Sequence, residues 1–300
     1  MDRYTIFQWL MLFYLYCFFG WCFESTYVSL KQRHFVNRGF MRGPFLPIYG
    51  SGAIMMLVVS MPVRDSLVLT YVTGMLGATA LEYVTGVAME ALFKVRYWDY
   101  SNQKFQFQGH ICLTSSLAWG AFTVLLTRVI HGPVETLMMR MPDQVLYVLV
   151  LLLTVIVAAD YALSFKAALD IRDILVGLEK AREEIHHMQR RLDVIIAVAE
   201  DEMQQRKEAI EESVEETKEA IADRVEDVFE RLRKIPEEYL ENVKEEIAEL
   251  SEKYRVVSES RRRIATIRDK YIKHILTNNP ITSVRFKDAL EEIKERLDRK

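Results

Sequence analysis

The chain has 300 residues, of which 50% are hydrophobic and 27% are charged, and its formal net charge is −3 at pH 7. These averages hide a division near residue 166. Residues 1–165 carry 11 Lys and Arg against 9 Asp and Glu, a net charge of +2, whereas the remaining residues carry a net charge of −5. Because the second part is mildly acidic, a basic surface for binding nucleic acid is excluded as its role.

Residues 1–165 contain five apolar segments with the length of membrane-spanning helices, which need roughly 20 mostly apolar residues each. The second segment is the least regular, because Pro47, Gly50 and Gly52 lie near its start. The first is too long for the apolar part of a cleavable signal, so we expect it to be retained. The predicted spans are residues 5–28, 45–61, 66–93, 111–130 and 144–165. The predicted fold is all-α, a five-span transmembrane helix bundle followed by a long helical arm.

Lys and Arg are unevenly distributed over the connecting loops, and this bias predicts the direction of the spans. The loops after the first and third spans hold the larger share, namely Lys31, Arg33, Arg38, Arg42, Lys94, Arg96 and Lys104. We therefore expect these two loops to face the cytoplasm, with the N-terminus outside. Five crossings then place the arm in the cytoplasm.

Four acidic residues lie within the predicted spans, where an unpaired carboxylate costs several kcal/mol. They are Glu24, Glu82, Glu90 and Asp160. Glu82 is the deepest, and Glu90 follows two turns later on roughly the same helix face. We expect an inward-opening polar cavity lined by these acids, or alternatively structural ion pairs and groups that reach the headgroup region. The expected counter-charges are Arg38, Arg42 and Arg96.

The loop between the first two spans is rich in Gly and Pro, which permit unusual backbone angles and fix bends. Its arginines are suited to holding a phosphate or carboxylate, or alternatively to contacting anionic lipid headgroups. The next cytoplasmic loop holds Asp99 among aromatic interface residues, and we expect Asp99 to accept a hydrogen bond from Arg38 or Arg42. The candidate substrate-binding residues are Glu24, Arg38, Arg42, Glu82, Glu90 and Asp99. The structural residues expected in the loops are Asn37, Gly39, Gly43, Pro44, Pro47, Tyr49, Gly50 and Trp98.

The third span carries Gly74, Gly77 and Gly86, and small residues at such spacing favour close helix packing. No cofactor or metal site is predicted, because the three cysteines form no CxxC motif or Cys/His cluster with ligand spacing. The sequence also contains no phosphate-binding P-loop and no hydrolase motif. Catalytic residues are therefore not assigned.

Several separate motifs occur in an order that resembles a known bacterial family. They are Gly20-Trp21-x-x-Glu24, Asn37-Arg38-Gly39-Phe40, Gly43-Pro44, Pro47-Ile48-Tyr49-Gly50-x-Gly52, Leu81-Glu82-Tyr83-x-Thr85-Gly86, Trp98-Asp99-Tyr100-Ser101 and Gly109-x-Ile111-Cys112-Leu113. Over residues 5–165 the chain resembles the putative ABC-transporter type IV, or CmpB-like, permeases. The resemblance implies a multi-pass inner-membrane permease. Because the chain lacks an ATPase signature, ATP-driven transport would require a separate ATPase subunit.

The arm shows the alternating three- and four-residue apolar spacing of a coiled coil. Its first seam positions are Ile171, Ile174, Leu178, Ala181, Ile185, Met188, Leu192, Ile195 and Ala199. No Gly or Pro separates Asp160 from Ile171, so we expect the helix to continue straight out of the fifth span. Pro236 predicts a fresh helix start. The predicted domains are residues 1–165, residues 166–277 with the break at Pro236, and a short amphipathic helix over residues 281–300.

An apolar stripe of this length needs a partner. We expect self-association through the arm, with an antiparallel hairpin within one chain as the alternative. Three functions are consistent with the sequence. The first is a permease subunit that binds a solute or membrane lipid in its inner cavity. The second is a membrane-anchored coiled-coil scaffold or signalling protein, and the third is a membrane enzyme that acts on a lipid headgroup.

Overall fold

The computed structural model describes residues 4–215 and 270–298. The chain divides into two compact units: unit 1 is Met1–Leu175 with Ile267–Lys300, and unit 2 is Val176–Thr266. The described helices are α1 (Ile6–Gln32), α2 (Pro47–Ser60), α3 (Leu67–Phe93), α4 (Leu113–Leu125), α5 (His131–Met139), α6 (Asp143–Glu215), α7 (Lys270–Asn278) and α8 (Lys287–Asp298). A 3-10 helix, Met61–Val63, follows α2, and a π-helix, Leu126–Ile130, joins α4 to α5.

Four helical stretches of the described chain are long and apolar enough to cross a membrane, namely Ile6–Gln32, Leu67–Phe93, Leu113–Met139 and Asp143–Glu184. They correspond to the first, third, fourth and fifth predicted spans. The second predicted span is a shorter apolar helix over Pro47–Val63. The chain is therefore a helical membrane protein, and the count of five crossings stays a prediction.

The fourth span differs from its prediction at both ends, since the helix begins at Leu113 and reaches Met139. The sequence His131-Gly132-Pro133 resembles a helix end. The helix nevertheless continues through a π-helical turn before His131. Pro133 has no backbone N–H to donate, and local changes of helix type of this kind are common near Pro in membrane helices.

The expectation of a purely helical fold also needs correction. Two short antiparallel strands, β1 (Gln106–Phe107) and β2 (Ile111–Cys112), form a hairpin directly before α4. Gln108 and Gly109 both have positive φ, and the amide of His110 donates to the carbonyl of Phe107. Two consecutive positive φ angles are typical of the tight turns that close hairpins.

Close contacts through glycine hold the helices of unit 1 together. A Cβ atom at Gly20 of α1 would lie 2.3 Å from Tyr49 Cβ of α2. A Cβ atom at Gly74 of α3 would lie 2.2 Å from the side chain of Thr123 in α4. The predicted role of small residues is thus confirmed at Gly74, because any side chain there would force α3 and α4 apart.

The helix that leaves the fifth span is uninterrupted from Asp143 to Glu215, as the absence of Gly and Pro around Asp160 predicts. Its first seam position, Ile171, is buried in unit 1. In unit 2, Leu178 is also buried. The side chains at the later seam positions Ala181, Ile185 and Met188 lie outside the described residues, as do all of those from Leu192 onward. Residues 216–269, with the expected break at Pro236, are also outside them, so coiled-coil pairing stays a prediction.

The end of the chain belongs to unit 1 and not to the arm. Helix α7 ends at Asn278, as the sequence Asn278-Asn279-Pro280 predicts, and α8 begins at Lys287. The apolar face of this segment is buried at Ile275, Ile281, Phe286, Ala289, Leu290 and Ile293. The compact units thus divide the chain differently from the predicted domains, because residues 270–298 pack against the loops of residues 1–165.

We expect Gly74→Ala to destabilise the protein by about 1–3 kcal/mol, because the added methyl group overpacks the contact with Thr123. The apparent melting temperature of the purified full-length protein in detergent measures this effect. Gly52→Ala is the matched control, since a Cβ at Gly52 meets nothing within 4 Å and alanine favours a helix. Equal stability of the two variants would contradict the close contact between α3 and α4.

Candidate functional site

The first acidic residue, Glu24, lies on α1 and receives donors from the following loop and from α2. Arg38 Nη2 lies 3.2 Å from Glu24 Oε1, and the Tyr49 hydroxyl donates to Glu24 Oε2 at 2.6 Å. The expected pairing of Glu24 with Arg38 is therefore present. Both partners are partly buried, so the ion pair is less screened by water than one on an open surface.

Glu82 is only 5% exposed and lies on α3. One oxygen accepts a hydrogen bond from the Tyr100 hydroxyl at 3.0 Å. The other accepts from Trp119 Nε1 at 3.0 Å and from Ser115 Oγ at 3.4 Å. Its three donors are thus neutral, so the arginine counter-charge expected for the acids of the spans is not among the partners described for Glu82.

The clusters around Glu24 and Glu82 meet through an aromatic contact. The rings of Tyr49 and Trp119 pack edge to face with their centroids 6.5 Å apart. Tyr49 donates to Glu24, and Trp119 donates to Glu82. A continuous set of contacts therefore runs from Arg38 through both carboxylates, across four helices of unit 1.

Glu90, at the end of α3, forms a third cluster with two basic groups. Arg96 Nε donates to Glu90 Oε2 at 2.8 Å, and His110 Nε2 lies 3.1 Å from the same oxygen. Arg96 is thus the counter-charge of Glu90, as expected. His110 is buried, although its position before the fourth span suggests only a loop or capping residue.

Asp99 does not accept a hydrogen bond from Arg38 or Arg42, and that expectation is wrong. Its Oδ1 accepts from Ser101 Oγ at 2.6 Å and lies 3.5 Å from Arg96 Nη1. Arg96 is only three residues from Asp99 in the same loop, so its guanidinium reaches the Asp99 carboxylate. Burial by itself raises the pKa of Asp99, but the hydrogen bonds from Ser101 and the charge of Arg96 outweigh it and hold the pKa below its usual value.

Arg42 also has a different neighbour from those expected. Its guanidinium lies over the ring of Tyr271 in α7, 5.5 Å from the ring centroid. Asp160 accepts a hydrogen bond from the backbone amide of Gly43 at 2.8 Å. The chain segment around Arg42 is therefore fixed to both α6 and α7.

The remaining loop residues shape the backbone between α1 and α2. Asn37 accepts from Trp21 Nε1 at 2.6 Å and donates to the Arg42 carbonyl at 2.6 Å, so it joins the loop to α1 and fixes a turn within the loop. Gly39 has a φ of 123°, which L side chains rarely adopt. Pro44 follows Gly43, and Pro47 occupies the first turn of α2, where its missing N–H costs nothing.

Gly50, which was expected in the loop, lies within α2, and Trp98 lies in the second loop. A Cβ at Gly50 would lie 2.4 Å from Cys17 Sγ, so Gly50 lets α2 approach α1. Trp98 Nε1 donates to the carbonyl of His110 at 2.9 Å, which joins the second loop to the hairpin before α4.

The C-terminal segment, residues 270–298, covers the first loop, and sequence reasoning missed this contact. The amide of Gly39 donates to Asn279 Oδ1 at 3.1 Å, and Asn279 Nδ2 donates back to the Gly39 carbonyl at 3.0 Å. Arg38 Nη1 donates to the carbonyl of Asn278 at 2.9 Å. His274 Nε2 lies 3.1 Å from the Gly39 carbonyl and 2.9 Å from that of Met41.

The same segment also contacts the second loop. The backbones of Arg96 and Thr282 exchange two hydrogen bonds, of 2.8 Å and 3.0 Å. Ser283 Oγ donates to the Lys94 carbonyl at 2.8 Å, and Thr282 Oγ1 lies 3.3 Å from Asp99 Oδ2. The C-terminal segment thus bridges the two loops that carry most of the candidate residues. Only the apolar spacing of Ile272, Ile275 and Leu276 hints at such packing in the sequence.

His274 is expected to make this contact pH-dependent. Burial lowers the pKa of His274 below its ordinary value of 6.5, although the carbonyls of Gly39 and Met41 and the charge of Asp160 oppose the shift. The folded state therefore binds fewer protons than the unfolded state. The stabilisation is complete above pH 6.5 and is lost as the pH falls from there through the lower pKa of the folded state.

Amide hydrogen exchange of Gly39 and Thr282 in the full-length protein, corrected for the intrinsic effect of pH, measures this loss. We expect faster exchange below pH 6.5 in the wild type and no such change in His274→Gln, which keeps a donor but does not titrate. His34→Gln is the control, because His34 is exposed and its variant should behave like the wild type. A pH-dependence that survives in His274→Gln would contradict the assignment.

One family model, described as putative ABC-transporter type IV, matches residues 11–165. No curated protein and no solved structure shows a significant match to the chain. The matched residues make up more than half of the chain and contain all the acidic residues of the clusters described above. They confirm the resemblance that the loop motifs predict. The chain therefore belongs to the family described as putative ABC-transporter type IV.

Proposed function

We propose that the chain is the permease subunit of a membrane transporter and that its substrate path runs along Glu24 and Glu82. Family membership supports a membrane transport protein. The observation that carries the proposal is the contact between the Glu24 and Glu82 clusters through Tyr49 and Trp119. A carboxylate in a membrane helix is costly and commonly marks a substrate or ion pathway.

Glu82 is the central residue of this proposal, because its hydrogen-bond partners are all neutral. A fully neutralised ion pair offers little attraction to a charged or polar substrate. Glu82 keeps its acidic group beside three donors, two of which, Tyr100 and Ser115, carry hydroxyls that also accept hydrogen bonds. Arg38, Glu90, Arg42 and Asp99 would then hold the loops at the mouth of the path.

The membrane topology belongs to the same proposal. We infer five crossings, with the N-terminus outside and α6 leading into the cytoplasm, in the inner membrane of a bacterium. The short helical stretch Pro47–Val63 has 17 residues and is about 25 Å long at 1.5 Å per residue, close to the roughly 30 Å of a bilayer core. The irregular backbone of residues 37–46 would complete that crossing.

A separate ATPase subunit would supply the energy if transport is driven by ATP, because the chain carries no phosphate-binding P-loop. We propose that the arm forms a contact for such a partner and for a second copy of the chain. The continuity of α6 from Asp143 to Glu215 supports this role, since an unbroken helix transmits rotation or tilt along its length.

Cells that lack the protein provide the test of the transport function. We expect a solute or lipid whose level changes on deletion to be restored by the wild type but not by Glu82→Gln. Loss of the carboxylate would remove the charge-assisted hydrogen bond that we propose between Glu82 and the substrate, which corresponds to substrate binding weaker by about tenfold. Mass spectrometry of cell extracts and medium measures the change, with Asp65→Asn as the control, because Asp65 is an exposed acid outside the helices.

Full restoration by Glu82→Gln, with both variants present at wild-type levels in the membrane, would remove Glu82 from the path. Conversion of one headgroup into another, instead of redistribution of an unchanged compound, would favour the lipid-modifying enzyme.

A membrane-anchored scaffold is the second candidate, and the length of α6 favours it. An internal deletion of residues 176–266 that keeps residues 267–300 discriminates the two in the same assay. A permease whose path lies in unit 1 retains substrate binding after this deletion, whereas a scaffold loses its whole effect while Glu82→Gln leaves it intact.

The proposed topology has its own test. A phosphatase reporter that folds only outside the cytoplasm should be active when fused after Asp65 and inactive when fused after Asn102 or Asp170. The positive-inside bias of the loops is the reason for this expectation. Activity in the reverse pattern would invert the proposed orientation, and activity after both Asp65 and Asn102 would reduce the number of crossings.

A further inference from the structure

The second loop, residues 94–112, folds back along the side of α3. The ring of Phe107 packs against the ring of Tyr83, with the two centroids 5.6 Å apart. The Tyr83 hydroxyl also donates to Gln108 Oε1 at 3.0 Å. The hairpin of β1 and β2 therefore lies beside Tyr83, ten residues before the end of α3 at Phe93.

The position of Tyr83 along α3 gives the depth of the hairpin in the membrane. Helix α3 has 27 residues and is about 40 Å long, whereas the apolar core of a bilayer is about 30 Å thick. Tyr83 follows the first residue of the helix, Leu67, by 16 residues, or about 24 Å. If the core begins at Leu67, Tyr83 lies about 6 Å inside its far boundary, and if the helix is centred in the core, Tyr83 lies about 11 Å inside. Every placement of the core between the two ends of α3 thus puts the hairpin at the level of the apolar layer.

The polar groups of the hairpin are satisfied within the protein, which is the condition for non-helical backbone at this depth. The two strands pair with each other, and the amide of Leu113 donates to the Phe105 carbonyl at 3.0 Å. In the turn, the amide of Gly109 donates to Gln106 Oε1 at 2.6 Å. The Gly109 carbonyl accepts from the amide of Tyr100 at 2.8 Å. These bonds do not require water, so the hairpin is suited to an apolar environment.

The outer surface of the hairpin carries two exposed aromatic rings. Phe105 is 81% exposed and Phe107 is 55% exposed. Beside them, Val84 of α3 and Leu113 at the start of α4 are also exposed, at 63% and 48%. Apolar side chains that are exposed together mark an interaction surface. Because this surface continues the apolar surface of two membrane-spanning stretches, acyl chains are the partner that fits it.

The backbone of Phe105 supports the same partner. Its φ is 54°, a left-handed conformation that is unfavourable for a residue with a side chain. A ring that is mostly exposed recovers little of this cost by packing within the protein, whereas transfer from water to acyl chains is favourable. Lys104 directly precedes Phe105 and is exposed, and a lysine can lay its apolar stem along lipid while its ammonium group reaches the headgroups.

We propose that residues 104–108 form a re-entrant surface that binds the lipid bilayer. The rings of Phe105 and Phe107 lie among the acyl chains of the leaflet at this end of α3, and Lys104 reaches the phosphates of its headgroups. The inference follows from the depth along α3, so it depends neither on the orientation of the spans nor on a transported substrate. Lipid then holds the second loop in place next to the Glu82 cluster.

Fluorine NMR of the full-length protein in phospholipid nanodiscs tests this surface. 4-Trifluoromethylphenylalanine replaces Phe105 or Phe107, one at a time, which changes the side-chain shape little and leaves the cysteines in place. One set of samples contains a lipid with a nitroxide on an upper acyl carbon, and the other contains a water-soluble nickel chelate. We expect the nitroxide lipid to broaden both signals as strongly as that of the same label at Val84, and the nickel chelate to leave them sharp.

Glu291 supplies the control for water, because it is an exposed charged residue of α8. The same label at Glu291 should be broadened by the nickel chelate and not by the nitroxide lipid. If Phe105 and Phe107 behave like Glu291, the hairpin lies in water and the proposal is overturned. Protection from both agents would overturn it as well, since protein, such as a second copy of the chain, would then cover the rings. If one labelled variant does not fold, the other gives the same comparison.

Discussion

A carboxylate within an apolar helix must find hydrogen-bond donors, because desolvation otherwise costs several kcal/mol. In this protein the source of those donors determines how unit 1 packs. Glu24 draws the first loop and α2 onto α1 through Arg38 and Tyr49. Glu82 draws α4 onto α3 through Trp119, and Glu90 fixes the second loop through Arg96. The three acids thus fix the relative positions of these helices and loops, which apolar contacts alone would not determine.

Small residues make these donors reachable. Gly20 lets Tyr49 pack directly against the backbone of α1, one turn before Glu24. Gly86 does the same for His110, since a Cβ there would lie 3.0 Å from His110 Nδ1. Glu90, which pairs with His110, lies one turn further along α3. Close approach to the helix backbone at glycine therefore allows the partner side chains to reach the acidic groups in this membrane protein.

The sequence predicts those features of the fold that depend on local pattern. Apolar length places α1 and α3 within a few residues of their observed bounds. The ion pair between Glu24 and Arg38 is also predictable, because Glu24 lies near the end of α1 and Arg38 lies in the loop that follows this helix. Sequence alone does not reveal the donors to Glu82, because Tyr100 and Trp119 are equally typical of a membrane interface and of helix packing.

The contact between the C-terminal segment and the first loop is harder still to predict. Asn279 and His274 contact the backbone of Gly39, and a sequence does not show which backbone groups a side chain will contact. The heptad spacing of the intervening chain also suggests a separate arm. The position of His131 depends in turn on a π-turn, and a local change of helical register has no signature in composition or hydropathy.

The pairing of Gly39 with Asn279 joins residues 240 positions apart in the chain. At typical synthesis rates of 5–20 residues per second, roughly 12 to 48 seconds pass between the two residues leaving the ribosome. For that interval the first loop has emerged while its covering segment does not yet exist. Assembly of unit 1 therefore finishes only after Asn279 has been synthesised, and a nascent chain truncated anywhere before Asn279 leaves the backbone of Gly39 without this partner.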